Sequence, residues 1–207
     1  MLAALVNRVE DIFERSSSGR QFADGYLEYL TEVLAALDRR AVERFADGLL
    51  AARERNAQIF FLGNGGSAAT ASHWVSDLTR WRGRPFRALS LTENVAMLTA
   101  IANDYGYAHV FRQQLENLMC PGDVVVAISA SGNSENVVSA IEYANANGAT
   151  TIGLTGFDGG RLSAIAHVVV HAPTASGDYG PAEDVHLILD HLVTSYLWQV
   201  CAAEGRE

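Results

Sequence analysis

Val124-Val-Val-Ala-Ile-Ser-Ala-Ser-Gly-Asn-Ser-Glu-Asn-Val137 is the stretch of the chain that decides its fold. It opens with an apolar, mostly β-branched run, which predicts a buried strand, and it ends in a helix-like pattern. Where a strand ends in small hydroxyl residues at a helix N-terminus, free backbone N–H groups and the helix dipole favour a bound anion. The hydroxyl groups of Ser129, Ser131 and Ser134 can add donors, so the loop is predicted to bind a phosphate.

A second loop of the same design lies upstream. There Gln58-Ile-Phe-Phe-Leu62 leads into Gly63-Asn-Gly-Gly-Ser67, and two such loops on one sheet indicate a small phosphorylated ligand held from both sides. Residues 63–68 also fit the relaxed Gly-x-Gly-x-x-Ala pattern of dinucleotide sites, which is weak evidence by itself. A dinucleotide site needs an acidic residue after the next strand, where only Glu93 is available. A tight turn without a ligand would explain the glycines but not Asn64 and Ser67.

The composition narrows the class of protein. At 207 residues and 49% hydrophobic content the chain is long enough for one domain with a single core. A net charge of −9 argues against nucleic acid as the main partner. All 15 basic residues are arginine, and the absence of lysine excludes Schiff-base chemistry and a P-loop.

The cellular location is predicted from what the chain lacks. Cys120 and Cys201 have no metal-binding or disulfide spacing, which suits a reducing cytoplasm. The N-terminus has no basic region typical of a signal peptide, and no apolar stretch reaches the length of about 18 residues that spans a bilayer. We therefore expect a soluble cytoplasmic protein without a membrane partner.

The order of elements predicts an α/β fold. Residues 1–55 show helical periodicity at Leu2–Glu14, Phe22–Leu37 and Ala41–Glu54, and residues 56–207 alternate strands and helices up to a last helix from about Ala182 to Ala203. The strands are largely apolar and do not alternate, as in parallel sheets covered on both faces, and are predicted at 58–62, 86–91, 123–129, 150–155 and 167–172. The prediction is a single domain, 1–207, with a doubly wound five-stranded parallel sheet flanked by helices and an N-terminal helical hairpin.

The N-terminal helices carry apolar residues that need a surface to bury against. Tyr26, Tyr29, Leu30 and Val33 lie on the second helix. They can pack on the domain's own sheet or in a helix bundle between subunits, and periodicity leaves both options open.

Histidines and carboxylates recur at helical spacing in two places. His73 and Asp77 lie at positions i and i+4, so they project from one face and can ligate a metal or act as an acid–base pair. A core histidine beside a solvated aspartate is the alternative. The second place is Glu183-Asp-Val-His-Leu-Ile-Leu-Asp-His191, in which His186 and Asp190 repeat the spacing. Periodicity does not decide which pair faces the sheet.

Two further segments have a structural and a functional interpretation. Arg80-Trp-Arg-Gly-Arg-Pro-Phe-Arg87 is the single basic run, which we interpret as a solvated loop with a phosphate clamp as the alternative. Asn103-Asp104 follows a helix predicted over 93–102, where a cap or turn is expected.

Together these motifs resemble the sugar isomerase (SIS) domain, over nearly the whole chain. The resemblance is carried by Gly63-Asn-Gly-Gly-Ser67, His73, Ala102-Asn-Asp-Tyr-Gly106, Ser129-Ala-Ser-Gly-Asn-Ser134 and Leu154-Thr-Gly156. Within that family the chain is most similar to the phosphoheptose isomerases, which convert sedoheptulose 7-phosphate to D-glycero-D-manno-heptose 7-phosphate. The resemblance implies the SIS fold, this isomerase activity through a cis-enediol, and a homotetramer with active sites between subunits.

The resemblance also assigns residues to roles. It implies a zinc ion held by His73, Asp77, Glu183 and His191, with Asp77 as the base and His191 as its acid–base partner. It implies substrate contacts from Asn64, Gly65, Gly66, Asn103, Asp104, Ser129, Ala130, Ser131, Ser134 and Glu183.

The chain departs from the family pattern at four positions. Asp77 stands where the family has glutamate, Glu183 where it has glutamine, Ala130 where it has threonine and Trp81 where it has arginine. The shorter side chain of Asp77 withdraws its carboxylate by roughly 1.5 Å, and a misplacement of about 1 Å can cost a hundredfold in rate. We interpret the changes as a retuned isomerase site. Two alternatives stay open. One is a non-catalytic SIS protein that binds a phosphosugar or a protein partner, as one relative binds the bacterial replication initiator. The other is a nucleotide-binding oxidoreductase.

Overall fold

The computed structural model describes residues 7–80 and 85–204, which form an α/β fold around one parallel sheet. The sheet has the strand order β2-β1-β3-β4-β5, and every neighbouring pair is parallel. The strands are β1 (Gln58–Gly63), β2 (Arg87–Ser90), β3 (Val124–Ser129), β4 (Thr150–Thr155) and β5 (Val168–His171). The predicted five-stranded parallel sheet is confirmed, and each strand begins and ends within one residue of its predicted position.

The central strands β1, β3 and β4 are buried on both faces, as their apolar sequences predicted, whereas the edge strand β2 is largely exposed. Successive side chains of a strand point to opposite faces. Ile59 and Phe61 accordingly join the hydrophobic core on one face, while Phe60 and Leu62 join the core on the other. Helices cover both faces, so the doubly wound architecture is confirmed.

The helices agree with the predicted order, with differences at their ends. Among the described residues they are α1 (Arg8–Arg15), α2 (Gly19–Ala36), α3 (Arg39–Glu54), α4 (Gly66–Thr79), α5 (Val95–Tyr105), α6 (Arg112–Leu118), α7 (Glu135–Ala146), α8 (Gly160–Ile165) and α9 (Tyr179–Glu204). The predicted start of the first helix, at residue 2, lies outside the described residues. The last helix begins three residues before the predicted one, because Pro181 lacks an N–H group and fits the first turn without loss.

The prediction that Asn103 and Asp104 close a helix over 93–102 was wrong. Both residues lie inside α5, which continues to Tyr105. The helix stops at Gly106, whose φ of 92° is readily adopted by glycine.

The N-terminal helices pack on the chain's own core. Tyr29 and Val33 are 2% and 3% exposed, and both belong to the same hydrophobic cluster as the inner face of α3. The Tyr26 hydroxyl donates to Asp184 at 2.6 Å, and the Tyr29 hydroxyl accepts from the Ala175 N–H at 2.8 Å. These hydrogen bonds connect α2 to the first turns of α9 and to the segment before it. An additional bundle between subunits stays a prediction.

The fold brings two loops together at one point of the sheet. β1 and β3 are neighbours, and α4 leaves β1 toward one face while α7 leaves β3 toward the other. Ligands of doubly wound sheets bind in the crevice outside the carboxyl ends of strands at such a point. Both phosphate-type loops predicted from the sequence lie there.

Candidate active site

A pocket lies at the carboxyl ends of β1 and β3. It has a volume of about 100 Å³, and we call it the serine-loop pocket. Its walls are Asn64, Ser67, Ile128, Ser129, Ala130, Ser131, Ser134, Tyr179 and Glu183. The structure thus brings together six of the predicted substrate residues: Asn64, Ser129, Ala130, Ser131, Ser134 and Glu183. Tyr179 was not predicted, since the last helix was expected to begin after it.

The serines of this loop shape it as well as line it. The Ser129 hydroxyl accepts the N–H of Gly132, and the Ser131 hydroxyl accepts the N–H of Asn133, each at 3.2 Å. Gly132 has a φ of 63° and lies against the Gly159 carbonyl, where a Cβ atom would collide. Ser134 is the N-cap of α7 but makes no side-chain cap bond, so its hydroxyl is available to a ligand.

Two helix N-termini favour an anion in the pocket. The N-terminal ends of α4 and α7 both lie beside it, and neither helix has a side-chain cap bond. The free N–H groups and dipoles of two helices favour an anion there. No arginine is among the described residues that line the pocket, so a chain of net charge −9 provides an anion site without clustered basic side chains.

Glu183 is the acidic wall of the pocket. Its carboxylate lies on Gly66 and fills the space that a Cβ atom would take. Burial raises the pKa of this carboxyl group, and the neighbouring charge of Asp184 adds to the effect. Its direction toward Gly66 places Glu183 where it can contact a ligand of the serine-loop pocket.

A second group of polar side chains lies further along the same two helices. His73 and Asp77 project from α4 and His191 from α9, and their ligand atoms all lie within 4.8 Å of one another. The Nε2 atoms of the two histidines are 3.2 Å apart, and His73 Nε2 is 3.6 Å from Asp77 Oδ2. We call these three residues the His–Asp cluster.

The cluster has the donor set of a zinc site. Two imidazole nitrogens and one carboxylate oxygen are ligands that zinc accepts, and three protein ligands leave a position open, as in catalytic zinc sites. Glu183, the predicted fourth ligand, is not in the cluster among the described residues. Glu183 precedes His191 by eight positions of α9, a rise of about 12 Å, and its contact with a metal stays a prediction.

Asp77 is the buried member of the cluster. Its residue exposure is 6%, whereas His73 and His191 are exposed. Arg80 Nη2 donates to Asp77 Oδ1 at 2.5 Å, so the other oxygen, Oδ2, is the one directed toward the histidines.

Arg80, the first residue of the basic run, follows α4, and its largely exposed side chain forms an ion pair with Asp77. The interpretation of the run as a solvated loop stays a prediction. Arg80 is three residues after Asp77 on one helix face, a spacing that allows the ion pair and is the signal that was overlooked. Trp81 and Arg82 lie outside the described residues.

The structure also decides which histidine of α9 faces the interior. His186 and Asp190 are fully buried, so their outward neighbour His191 belongs to the cluster. Burial lowers the pKa of His186 to about 4, and the nearby His171 adds to the shift. The backbone of Thr155 opposes the shift, although neither ring nitrogen of His186 has a hydrogen-bond partner among the described residues. Burial, followed by the charge of Asp77, raises the pKa of Asp190 to about 8.

The remaining four predicted substrate residues are not among those that line the pocket. Gly65 and Gly66 form the start of α4, next to Asn64. Asn103 and Asp104 are exposed in the last turn of α5, where the Asn103 amide donates to Asp104 at 2.8 Å, and they are not among the pocket's lining residues. Their contact with a ligand stays a prediction.

The comparison with protein families decides the relationship of this chain. The family model described as SIS domain matches residues 21–156, more than half of the 207 residues. This chain belongs to the SIS domain family. Its SIS domain sequence is 41% identical to the phosphoheptose isomerase of Geobacter metallireducens over 168 residues, which cover 78% of this chain and 88% of that protein.

Solved structures of SIS domain proteins agree. Phosphoheptose isomerase GmhA from Neisseria gonorrhoeae superposes with a TM-score of 0.77 at 34% identity, covering 85% of this chain and 94% of that one. A phosphoheptose isomerase from Francisella tularensis gives a TM-score of 0.80 at 27% identity, with coverage of 87% and 96%. The family resemblance predicted from the motifs is confirmed, and so is the SIS fold.

Proposed function

We propose that this protein is a ketose–aldose isomerase that converts sedoheptulose 7-phosphate to D-glycero-D-manno-heptose 7-phosphate. The observation that carries the proposal is the buried carboxylate of Asp77 within the His–Asp cluster, on the same helices as an anion pocket. The two relatives that share 41% and 34% identity with this chain are phosphoheptose isomerases, which supports the same substrate class.

The serine-loop pocket binds the phosphate end of the sugar. Ser131 and Ser134 donate hydroxyl protons, and the N-terminal ends of α4 and α7 neutralise the charge. These contacts are the same in the ground state and the transition state, so they set the affinity for substrate and hold the sugar in register.

Asp77 moves the proton between the two carbons. Its carboxylate removes a proton from C1 of the ketose and returns it to C2, through a cis-enediol. Arg80 holds Oδ1, which fixes the carboxylate and leaves Oδ2 as the oxygen that faces the histidines. His191, which is exposed beside it, exchanges the proton of the hydroxyl and carbonyl oxygens.

We propose zinc as the cofactor. His73, Asp77 and His191 would hold the ion, with Glu183 as the predicted fourth ligand in the assembled protein. A bound divalent ion polarises a carbonyl oxygen and stabilises negative charge that develops on it.

We also propose a homotetramer with active sites between subunits, located in the cytoplasm. Large apolar side chains are exposed near the cluster on α9, with Leu192 at 50% and Tyr196 at 52%. Exposed aromatic and aliphatic side chains on one helix face support a protein interface. None of the helices among the described residues is long and apolar enough to cross a membrane. Light scattering tests the assembly; a mass of one chain contradicts it.

The experiment that tests the activity uses purified protein supplemented with zinc. It is incubated with sedoheptulose 7-phosphate, and aldose formation is followed by NMR of the anomeric protons. New anomeric signals support the proposal. Binding of the sugar phosphate without turnover would replace it with the non-catalytic phosphosugar-binding protein considered above.

A further inference from the structure

Three polar side chains join the two loops of the pocket. Asn64, in the loop after β1, and Asn136, in the first turn of α7, exchange amide hydrogen bonds in both directions at 2.9 Å. The Tyr107 hydroxyl, in the turn after α5, donates to Asn64 Oδ1 at 2.8 Å. Asn136 is 4% exposed and Tyr107 is 59% exposed, so the chain of contacts runs from the interior to the surface.

The orientation of both amides follows from one backbone group. The N–H of Val137 donates to Asn136 Oδ1 at 3.0 Å, and an N–H group is only a donor. The other end of the Asn136 amide is therefore its NH₂ group, which faces Asn64 Oδ1. Consequently Asn64 presents its oxygen to Asn136 and Tyr107, and its NH₂ group to Asn136 Oδ1.

The arrangement leaves one group of Asn64 for a ligand. Oδ1 accepts two hydrogen bonds and Nδ2 donates one, so both acceptor positions and one donor are occupied. The second N–H of Nδ2 has no partner among residues 7–80 and 85–204. Asn64 lines the serine-loop pocket, and an N–H donor suits the phosphate or hydroxyl oxygens of a sugar phosphate.

We propose that Asn136 and Tyr107 are positioning residues, which hold the Asn64 amide so that its remaining N–H group is presented to the sugar phosphate. The proposal rests on the proposed function for the identity of the ligand.

The test uses Tyr107→Phe, which removes one hydroxyl from a largely exposed side chain and is expected to fold. The matched control is Tyr105→Phe, which removes the same group from a residue that is 61% exposed two positions earlier. Loss of one hydrogen bond that orients a ligand donor is expected to raise KM for sedoheptulose 7-phosphate about fivefold with kcat unchanged. The control should leave both constants as in the wild type.

A double-mutant cycle separates positioning from general stability. In an Asn64→Ala background the Tyr107→Phe change should have no further effect on KM, because the amide it orients is gone. The proposal would be overturned if Asn64→Ala and Tyr107→Phe raised KM independently, so that their factors multiplied in the double variant. It would also be overturned if Tyr105→Phe raised KM as much as Tyr107→Phe does.

A spectroscopic readout keeps the test independent of the proposed function. In ¹⁵N-labelled free protein the side-chain amide signals of Asn64 should shift in Tyr107→Phe and stay in place in Tyr105→Phe; Asn64→Ala assigns them. If the wild type neither binds nor isomerises sedoheptulose 7-phosphate, the proposed function fails. The positioning role is then judged by the amide signals alone, and signals unmoved by Tyr107→Phe would reject it.

Discussion

The serine-loop pocket and the His–Asp cluster lie on the same helices but are built from different parts of the chain. The pocket is made of backbone N–H groups, glycines and short hydroxyl side chains at the ends of strands. The cluster is made of long side chains on the flanks of α4 and α9, two to three turns from the helix starts. The two helices run parallel, since Glu183 meets Gly66 and His191 meets His73.

This difference separates binding from chemistry. Backbone groups at a strand–helix junction are fixed by the fold, and they recognise the charge of a phosphate whatever the rest of the ligand is. The cluster depends on side-chain length and on the register of two helices, so we expect a change of one methylene at Asp77 to alter the rate without altering the fold. We expect substitutions in the cluster to change turnover and substitutions in the pocket to change affinity.

The largest effect is expected at Asp77. Asp77→Asn keeps the shape of the side chain but removes the base, so kcat should fall by about a thousandfold while sedoheptulose 7-phosphate still binds. Steady-state kinetics and calorimetric titration measure the two quantities. Asp47→Asn, a substitution of an exposed residue on α3, is the matched control. A fall in kcat of less than tenfold in Asp77→Asn would exclude Asp77 as the base.

The next effect concerns the metal. His73→Ala removes one of the proposed zinc ligands. The zinc affinity of the variant, measured by competition with a chromogenic chelator, should fall by about a hundredfold or more. His109→Ala removes an exposed histidine of the turn after α5 and should bind zinc as the wild type does. Equal zinc binding by both variants would show that the cluster is not the metal site.

The buried face of α9 gives a contrast with the exposed cluster. The pKa of His186 is lowered to about 4 from its ordinary value of 6.5. Below pH 6.5 the unfolded chain takes up a proton that the folded chain excludes, so stability falls as the pH drops toward 4. Between pH 7 and pH 5 this costs about 2 kcal/mol of unfolding free energy.

The measurement is denaturant unfolding of the wild type and of His186→Gln at both pH values. The wild type should lose about 2 kcal/mol more than the variant over this interval, because all other titrating groups are shared. His109→Gln should keep the wild-type dependence. A pH dependence unchanged by His186→Gln would contradict the burial of a neutral imidazole.

The smallest effect is expected in the pocket. Ser131→Ala removes one of several phosphate donors, so KM should rise by about tenfold with kcat nearly constant. Ser195→Ala, an exposed change on α9, should change neither constant. A fall in kcat alone would move Ser131 from binding to chemistry and remove the contrast between the two regions.

The sequence predicted most of what the backbone builds. Apolar strands between glycine-rich and serine-rich loops have few alternatives to a covered parallel sheet, and the carboxyl ends of its strands locate the pocket. The residues of the serine loop and Asn64 were found for that reason. His73 and Asp77 were found because helical spacing puts them on one face.

The parts that the sequence did not predict depend on contacts between distant segments. Tyr107 and Asn136 meet Asn64 across 43 and 72 residues of chain, and no local pattern encodes such a contact. The resemblance placed Glu183 with the metal ligands, but its carboxylate turns to Gly66, a position set by the packing of α9 on α4. The Arg80–Asp77 ion pair is local, and the spacing of three residues is enough to predict it. Arg80 was instead assigned to the exposed basic run.

The measurement that tests the central claim most directly is the isomerisation of sedoheptulose 7-phosphate in D₂O, with the site of deuterium read by NMR. Solvent deuterium enters C2 of the aldose to the extent that the proton held by Asp77 exchanges with D₂O before it is returned from the carboxylate to the enediol. Ser131→Ala should still incorporate deuterium at saturating substrate, and Asp77→Asn should not. Deuterium at C2 would support an enediol with an exchanging base, and aldose that forms equally fast with Asp77→Asn would contradict the account.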